Sequence, residues 1–381
     1  MLEVDVPTGY LSPYGRVLST QQDNEKGEHL TRALHRHVKM TVILLIIIST
    51  LAGSILYIQL HNATPSSTPF FASIDTMKVS RDTATRPLSM QEITKIVDIS
   101  ASLNTNYITV DTQWNYPDYM TQWVNAIRLT KRHVWFRIQP NLWENNNGSI
   151  GIMTPEQYVV SERLFILAHP SLFRPGDILD PCPEAEQGLY WKATYGQSWT
   201  NNAPNVATSE YNAFLRQTTD VADAALHQNG ITGVITTIRS INSFFATHPS
   251  VLERATVDKF GYITIDSYPD QDTLNPDVAA RARVAELNQI EALWHTPIII
   301  GEMGYSNDIP VDDATQQAVL KAEFSQLRSL PYLAGVNYWV GVGSNTSGGY
   351  TYILTRRDST WILRPAAYDL AAFYRAMRQG R

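Results

Sequence analysis

Two acids close apolar runs in this chain. Glu302 follows PIIIG, a stretch apolar enough to be a strand buried on both faces, and a carboxylate there is costly unless it is paired or used. Glu184 lies in DPCPEAEQG, where two prolines stiffen the exit from another apolar run. Glu186 stands two residues further on, and the sequence leaves open which of the two points inward. Two facing carboxyl groups suit one chemistry in particular, glycoside hydrolysis. The protonated one hands its proton to a leaving glycosidic oxygen, and the ionised one attacks the sugar or activates water. A separation of about 5 to 5.5 Å retains configuration at the anomeric carbon, and about 6.5 to 9.5 Å inverts it.

Opposed carboxyl groups need a scaffold that brings distant segments to one rim. From about Phe70, β-rich runs alternate with amphipathic stretches, the pattern of a parallel sheet. The predicted strands are 73–82, 107–114, 134–141, 177–184, 231–240, 262–269, 297–306 and 333–344. Ser89 reads as the N-cap of the first helix and Ser209 as that of a later one, closed by Asn229-Gly230; a further helix follows Pro276. Eight such units predict the fold class α/β as a (β/α)8 TIM barrel. Neither GxGxxG after the first strand nor GxxxxGK[ST] is present, so dinucleotide and P-loop folds have no support.

A barrel of this kind gathers its chemistry at the C-terminal ends of the strands. Those ends carry Arg81 and Asp82, Asp111 and Trp114, Arg137, Gln139 and Asn141, Asp180 and Glu184, Arg239, Asp266 and Tyr268, Glu302, and Asn337 and Trp339, with Trp143 just beyond the third. Glu302 and Glu184 are the expected catalytic pair; Asp111, Trp114, Arg137, Asn141, Trp143, Glu186, Tyr268 and Trp339 are the expected substrate contacts. Sugar faces are apolar C–H surfaces that stack on aromatic rings, so Trp191 and Trp199 in the loop 187–208 are expected to help cover the cleft. Trp123, Trp135 and Trp294, inside predicted helices or at strand starts, are expected to be packing residues.

The arrangement resembles clan A of the glycoside hydrolases, the (β/α)8 retaining enzymes that include the family 5 cellulases and mannanases. On that resemblance Glu302 in IIIGEMGYS is the nucleophile and Glu184 the acid/base. Tyr268 in IDSYP is the tyrosine that orients the nucleophile, and Trp339 in GVNYW the aromatic platform under the sugar. Two positions depart from the family. Pro183 stands where an Asn usually precedes the acid/base and contacts the sugar 2-hydroxyl, and the second strand lacks the usual Arg, for which only Arg137 on the third could substitute. An outlying member is therefore expected.

Other chemistries find little support. His133, His169, His227 and His295 fall at helix ends or before strands and form no HExxH or HxH pattern, so no metal or other cofactor is expected. There is no GxSxG elbow, and Cys182, the only cysteine, sits between two prolines with no nearby His and can at most line the cleft. With 30 Lys+Arg against 36 Asp+Glu the formal charge is −6, which argues against nucleic acid. An oligo- or polysaccharide is the expected partner, and no obligate protein partner is implied. A carbohydrate-binding protein on an inactive barrel and a transglycosylase are the alternatives, the latter differing only in the acceptor.

The N-terminal residues exceed what one barrel needs. Residues 40–60, MTVILLIIISTLAGSILYIQL, are an uncharged apolar run long enough to cross a hydrocarbon core of roughly 30 Å as a helix. Arg32, Arg36 and Lys39 flank its N-side, and no Lys or Arg follows until Lys78. The positive-inside rule predicts a single-pass signal anchor in the cell membrane, with a disordered cytoplasmic tail (1–39), a linker (61–70) and an extracytoplasmic barrel (71–381).

Overall fold

The computed structural model describes residues 69–380, apart from 141, 145–150, 270–272, 307–308, 344–349 and 359. The expected tail and membrane span lie outside these residues, and the linker does so up to residue 68. Among the described residues no helix is long and apolar enough to cross a membrane. The barrel belongs to a compact unit, Ser67–Arg381.

Eight parallel strands form the sheet: β1 (Phe71–Asp75), β2 (Tyr107–Val110), β3 (His133–Arg137), β4 (Ile178–Asp180), β5 (Ser240–Asn242), β6 (Ile263–Asp266), β7 (Ile298–Met303) and β8 (Leu333–Tyr338). Their order is β4-β3-β2-β1-β8-β7-β6-β5. The ring closes ahead of β5, where Ile235 bridges Ile178, its N–H donating to the Asp177 carbonyl at 2.8 Å while Leu179 N–H donates back at 2.9 Å. The eight-strand barrel expected from the alternation is thus present.

The strands are shorter than the apolar runs suggested. The first, expected to reach residue 82, stops at Asp75, whose Oδ1 accepts the Met77 N–H at 2.7 Å and turns the chain into one helical turn, Met77–Ser80. The fifth, expected over 231–240, pairs regularly only from Ser240, because Gly233 at φ +76° bends the backbone before it. A hairpin that the sequence pattern did not reveal, β9 (Leu354–Arg357) with β10 (Thr360–Leu363), rises between β8 and the last helix.

The helices that cover the barrel are α1 (Met90–Ser102), α2 (Pro117–Leu129), α3 (Pro155–Ala168), α4 (Val206–Gln228), α5 (Arg254–Phe260), α6 (Pro276–Trp294), α7 (Asp313–Leu327) and α8 (Ala366–Gln379). Ser89 caps α1 as expected, in a capping box with Glu92, a motif that stabilises a helix by about 1 kcal/mol. Helix α4 starts earlier than expected: Asn205, not Ser209, accepts the Thr208 N–H, and Thr208 returns the bond.

Burial divides the barrel by chemistry. Ile, Val, Leu and aromatic side chains fill the core beneath the helices, Trp123 and Trp294 among them, and Trp135 packs in a separate apolar cluster with Phe71, Tyr107, Ile178, Ile238 and Ile299; all three are buried, as expected of packing residues. Inside, a polar ladder climbs toward the mouth: Ser73 and Thr109 share a hydrogen bond, Thr109 donates to Asn337 Oδ1, and Asn337 Nδ2 donates to Asp75 and to the Gly301 carbonyl. Each of these four side chains is hydrogen-bonded to the next, so the ladder supports the Asp75 carboxylate at the rim.

Candidate active site

Glu302 is buried near the end of β7. Gly301 before it is there for space: a Cβ would lie 2.1 Å from Ser240 Oγ and 2.7 Å from Asp266 Oδ1, so only glycine lets the β6 carboxylate lie against β7. Arg137, from the end of β3, reaches across the barrel. Its Nη1 donates to Glu302 Oε1 and to Asp75 Oδ2 at 3.3 Å, and its Nη2 to Asp266 Oδ2 at 3.4 Å. Arg137 on the third strand is thus the arginine that reaches Glu302. On the other carboxylate oxygen of Glu302, the Tyr268 hydroxyl donates at 3.1 Å.

Glu184 comes from the loop after β4. Its backbone adopts φ +45°, ψ +49°, a left-handed conformation that strains a residue other than glycine, and its N–H is pinned to the Ser240 carbonyl at 2.9 Å. Held this way, one carboxylate oxygen each of Glu184, Asp266 and Glu302 lie within 4.8 Å of one another. Such a trio has the oxygens a cation would use, but Arg137 already supplies the compensating charge to two of its members.

The protons are distributed unevenly. Burial, then the neighbouring Glu302 and Glu186 charges, push the Glu184 carboxyl up to about 8, and among the described residues no hydrogen bond reaches it. Burial also raises Glu302, but the Arg137 guanidinium and the Tyr268 hydroxyl oppose it. Of the pair, then, Glu184 is the better placed to hold a proton, since Arg137 and Tyr268 hydrogen-bond the ionised form of Glu302 whereas Arg137 acts on Glu184 only through its charge. Burial followed by the Glu302 charge holds Asp266 well above the usual carboxylate range. Burial works against the charge of Arg137, but Glu302, Asp266, Asp111 and Asp75 outweigh it.

Beside the pair lies a cavity of about 250 Å³, lined by Met77, Arg81, Asp111, Gln113, Arg137, Gln139, Pro140, Glu144, Pro183 and Glu184. Trp339 stands next to it, half-buried, with its ring edge-on to Tyr268 at 6.0 Å, its Nε1 3.5 Å from Met77 Sδ, and Lys78 Nζ 5.8 Å from its ring centre. Glu302, Glu184, Arg137, Tyr268, Trp339 and Asp111 are therefore gathered at one mouth.

Several expected contacts are elsewhere. Trp143 is 1% exposed, stacked 5.0 Å from Phe214 beneath Gly188, so it packs the wall and presents no face to a ligand. Trp114 lies flat on Phe165 of α3 at 5.4 Å, outside the cavity lining. Glu186 is buried, accepting the Asn242 N–H at 2.6 Å and the Tyr211 hydroxyl at 3.2 Å; it anchors β5, and Glu184 alone of the two lines the cavity. Asn141 falls outside the described residues. Trp191 and Trp199, expected over the cleft, stack on each other at 5.6 Å in the aromatic cluster of Tyr211 and Phe245. Cys182 is fully buried and is not among the residues that line this cavity.

Asp75 was not anticipated at all, because the predicted first strand ran past it. The alternation in FFASID, apolar until the acid, was the usable signal. Glu144 was likewise missed: it follows Trp143 in a loop with no periodic pattern.

The fold is a (β/α)8 barrel with a cluster of carboxyl groups around one buried arginine at the C-terminal ends of its strands. No family model matches the sequence, and no curated protein matches it. Solved structures do. GH5_18 from Streptomyces cattleya, solved in complex with Manb1-4GlcNAc, is 13% identical, with 82% of each chain covered and a TM-score of 0.61. A GH5_18 from Bifidobacterium longum subsp. infantis is 12% identical over 82% of this chain and 80% of that one, with a TM-score of 0.59. A Bifidobacterium dentium beta-glucuronidase, complexed with coumarin-3-O-glucuronide, is 15% identical with a TM-score of 0.53; 81% of this chain covers 46% of that one. At these identities the likeness shows the shared fold.

Proposed function

We propose that the chain is a retaining glycoside hydrolase acting on an oligo- or polysaccharide, with Glu302 as nucleophile and Glu184 as acid/base. The observation that carries this reading is the approach of the Glu184 and Glu302 carboxylate oxygens to within 4.8 Å, a spacing that suits direct attack and leaves little room for an intervening water. Glu302, ionised against Arg137 and oriented by Tyr268, attacks the anomeric carbon while Glu184 protonates the departing oxygen. Glu184, having lost its proton, then draws one from the water that hydrolyses the glycosyl-enzyme. Trp339 supports the sugar face. The Manb1-4GlcNAc bound by the S. cattleya neighbour makes β-linked hexose oligosaccharides the first substrates to try.

The same reading places the barrel outside the cell membrane, tethered by residues 40–60. Fractionation with protease protection tests that part: a tagged N-terminus resistant in intact cells and a barrel that is digested are the expected results, and recovery of the chain in the soluble fraction refutes it.

Catalysis is tested by assaying full-length protein on β-linked mannose and glucose oligosaccharides. Release of reducing sugar by the wild type and its loss in Glu302→Gln, with unfolding unchanged, is expected. Binding without turnover in the wild type supports a carbohydrate-binding barrel instead, and transfer of the glycone to a second sugar identifies a transglycosylase.

A further inference from the structure

Solved structures that share this barrel fold include GH5_18 with Manb1-4GlcNAc bound and a beta-glucuronidase complexed with coumarin-3-O-glucuronide. The fold therefore does not choose the sugar. The cavity beside Glu184 has features that do.

Asp111 leaves β2 immediately after Val110 and lies next to Arg137, which continues β3 in register, Val110 facing Phe136. It is 4% exposed, it lines the cavity, and its Oδ2 is buried with no hydrogen-bond partner among the described residues. Gln139, two residues beyond Arg137, is built differently to the same end. Its amide nitrogen is engaged by the Glu144 carboxylate, which fixes the orientation of the amide and leaves Oε1 buried with no donor among the described residues. A buried acceptor left unmet is destabilising, so two of them at one cavity mark where a ligand supplies donors.

The nearby cation does not meet that need from within. Arg81 lines the cavity, but its Nε is directed to Asp82 at 3.1 Å, and its charge is already balanced by Asp111, Asp82 and Glu144. A sugar hydroxyl has a proton to give. A sugar carboxylate at neutral pH has none, so it offers nothing to the unmet oxygens of Asp111 and Gln139, and the lining cations Arg81 and Arg137 already face acids of the protein.

We propose that Asp111 and Gln139 accept hydrogen bonds from hydroxyl groups of a neutral glycone held beside Glu184, and that this cavity excludes a sugar acid. The inference rests on the hydrolytic reading only for the position of the glycone. Its residues and its ligand class can be tested without turnover.

The experiment is calorimetric titration of the full-length protein with methyl 1-thio-β-glycosides of mannose, glucose and glucuronic acid, which resist hydrolysis. At least one neutral glycoside is expected to bind tenfold or more tightly than the glucuronide. Asp111→Asn, which preserves shape, and Gln139→Leu are each expected to weaken that binding by about ten- to a hundredfold without changing thermal unfolding. Should either variant fold poorly, monodeoxy analogues on the wild type report the same contacts, at least one analogue losing a comparable factor. Equal or tighter binding of the glucuronide overturns the inference, as do unchanged affinities in both folded variants, or in every deoxy analogue. Absence of all binding overturns it together with the hydrolytic reading. The expected pattern in a protein that never turns over a substrate overturns only the hydrolytic reading.

Discussion

Arg137 and Glu302 meet across the barrel, from strands β3 and β7, and the guanidinium that holds Glu302 also touches Asp75 and Asp266. Three carboxylates thus depend on one buried cation. Removing it leaves buried charge unpaired, which typically costs about 3 to 5 kcal/mol, while the carboxyl groups escape part of that cost by taking up protons. Arg137→Met is therefore expected to lower unfolding free energy by about that amount in urea titration and to abolish turnover by protonating Glu302. Arg137→Lys keeps a charge but loses the fork that reaches three partners at once, so an intermediate loss of both is expected. A variant as stable as the wild type contradicts this account of the rim.

Glu184 and Glu302 are expected to separate by leaving group. Protonation by Glu184 matters most when the departing oxygen is a poor leaving group, and general acid catalysis contributes about 10²- to 10⁴-fold. Glu184→Gln should lose about that factor in kcat/KM on an unactivated disaccharide and far less in kcat/KM on a dinitrophenyl glycoside, whose phenolate leaves unaided, while kcat on the latter falls because the second step has lost its base. Glu302→Gln should lose both. Steady-state kinetics on the two substrates decide the matter, and equal losses in Glu184→Gln remove it from the acid role.

The pH profile follows from the same pair. Glu184, pushed up to about 8, must hold its proton for the first step, so kcat/KM is expected to fall as pH rises through about 8. Glu302 must be ionised, and its carboxyl is raised by burial, so the acid limb is expected above 4.5, its ordinary value. In Glu184→Gln, assayed on the dinitrophenyl glycoside, the alkaline limb should vanish while the acid limb stays. A limb that persists near pH 8 assigns that proton to another group.

Much of this molecule was legible from residue order. The alternation of β-rich and amphipathic runs was enough for the barrel, and the cost of burying Glu302 behind PIIIG marked one half of the pair. What escaped depends on directions that periodicity does not encode. Trp143 and Trp114 have the right composition for a sugar platform, yet their rings stack on Phe214 of α4 and Phe165 of α3. Glu184 and Glu186 are separated only by backbone: the left-handed turn at Glu184 sends one acid to the cavity and the other to Asn242. Asp75 was hidden because a strand end and a helix start share the same apolar pattern over residues 71–80.

Gly301 offers the sharpest test of how the rim is packed. It lies in β7 with Ser240 of β5 and Asp266 and Thr264 of β6 directly against its Cα, and a methyl group would sit 2.1 Å from Ser240 Oγ, 2.7 Å from Asp266 Oδ1 and 3.0 Å from Thr264 Cγ2. The Ser240 hydroxyl, which donates to Asp266 at 3.1 Å, must move, and Asp266 with it. Because Asp266 shares Arg137 with Glu302, displacement on one side of Gly301 is passed to the carboxylate on the other. Overpacking of this kind costs about 1 to 3 kcal/mol. Gly301→Ala is accordingly expected to lose that much stability and, measured well below its melting temperature where it is fully folded, to retain binding of a thio-glycoside while losing most of its kcat. Wild-type kcat in the folded variant shows instead that the rim tolerates the shift and that the contact between Asp266 and Arg137 does not position Glu302.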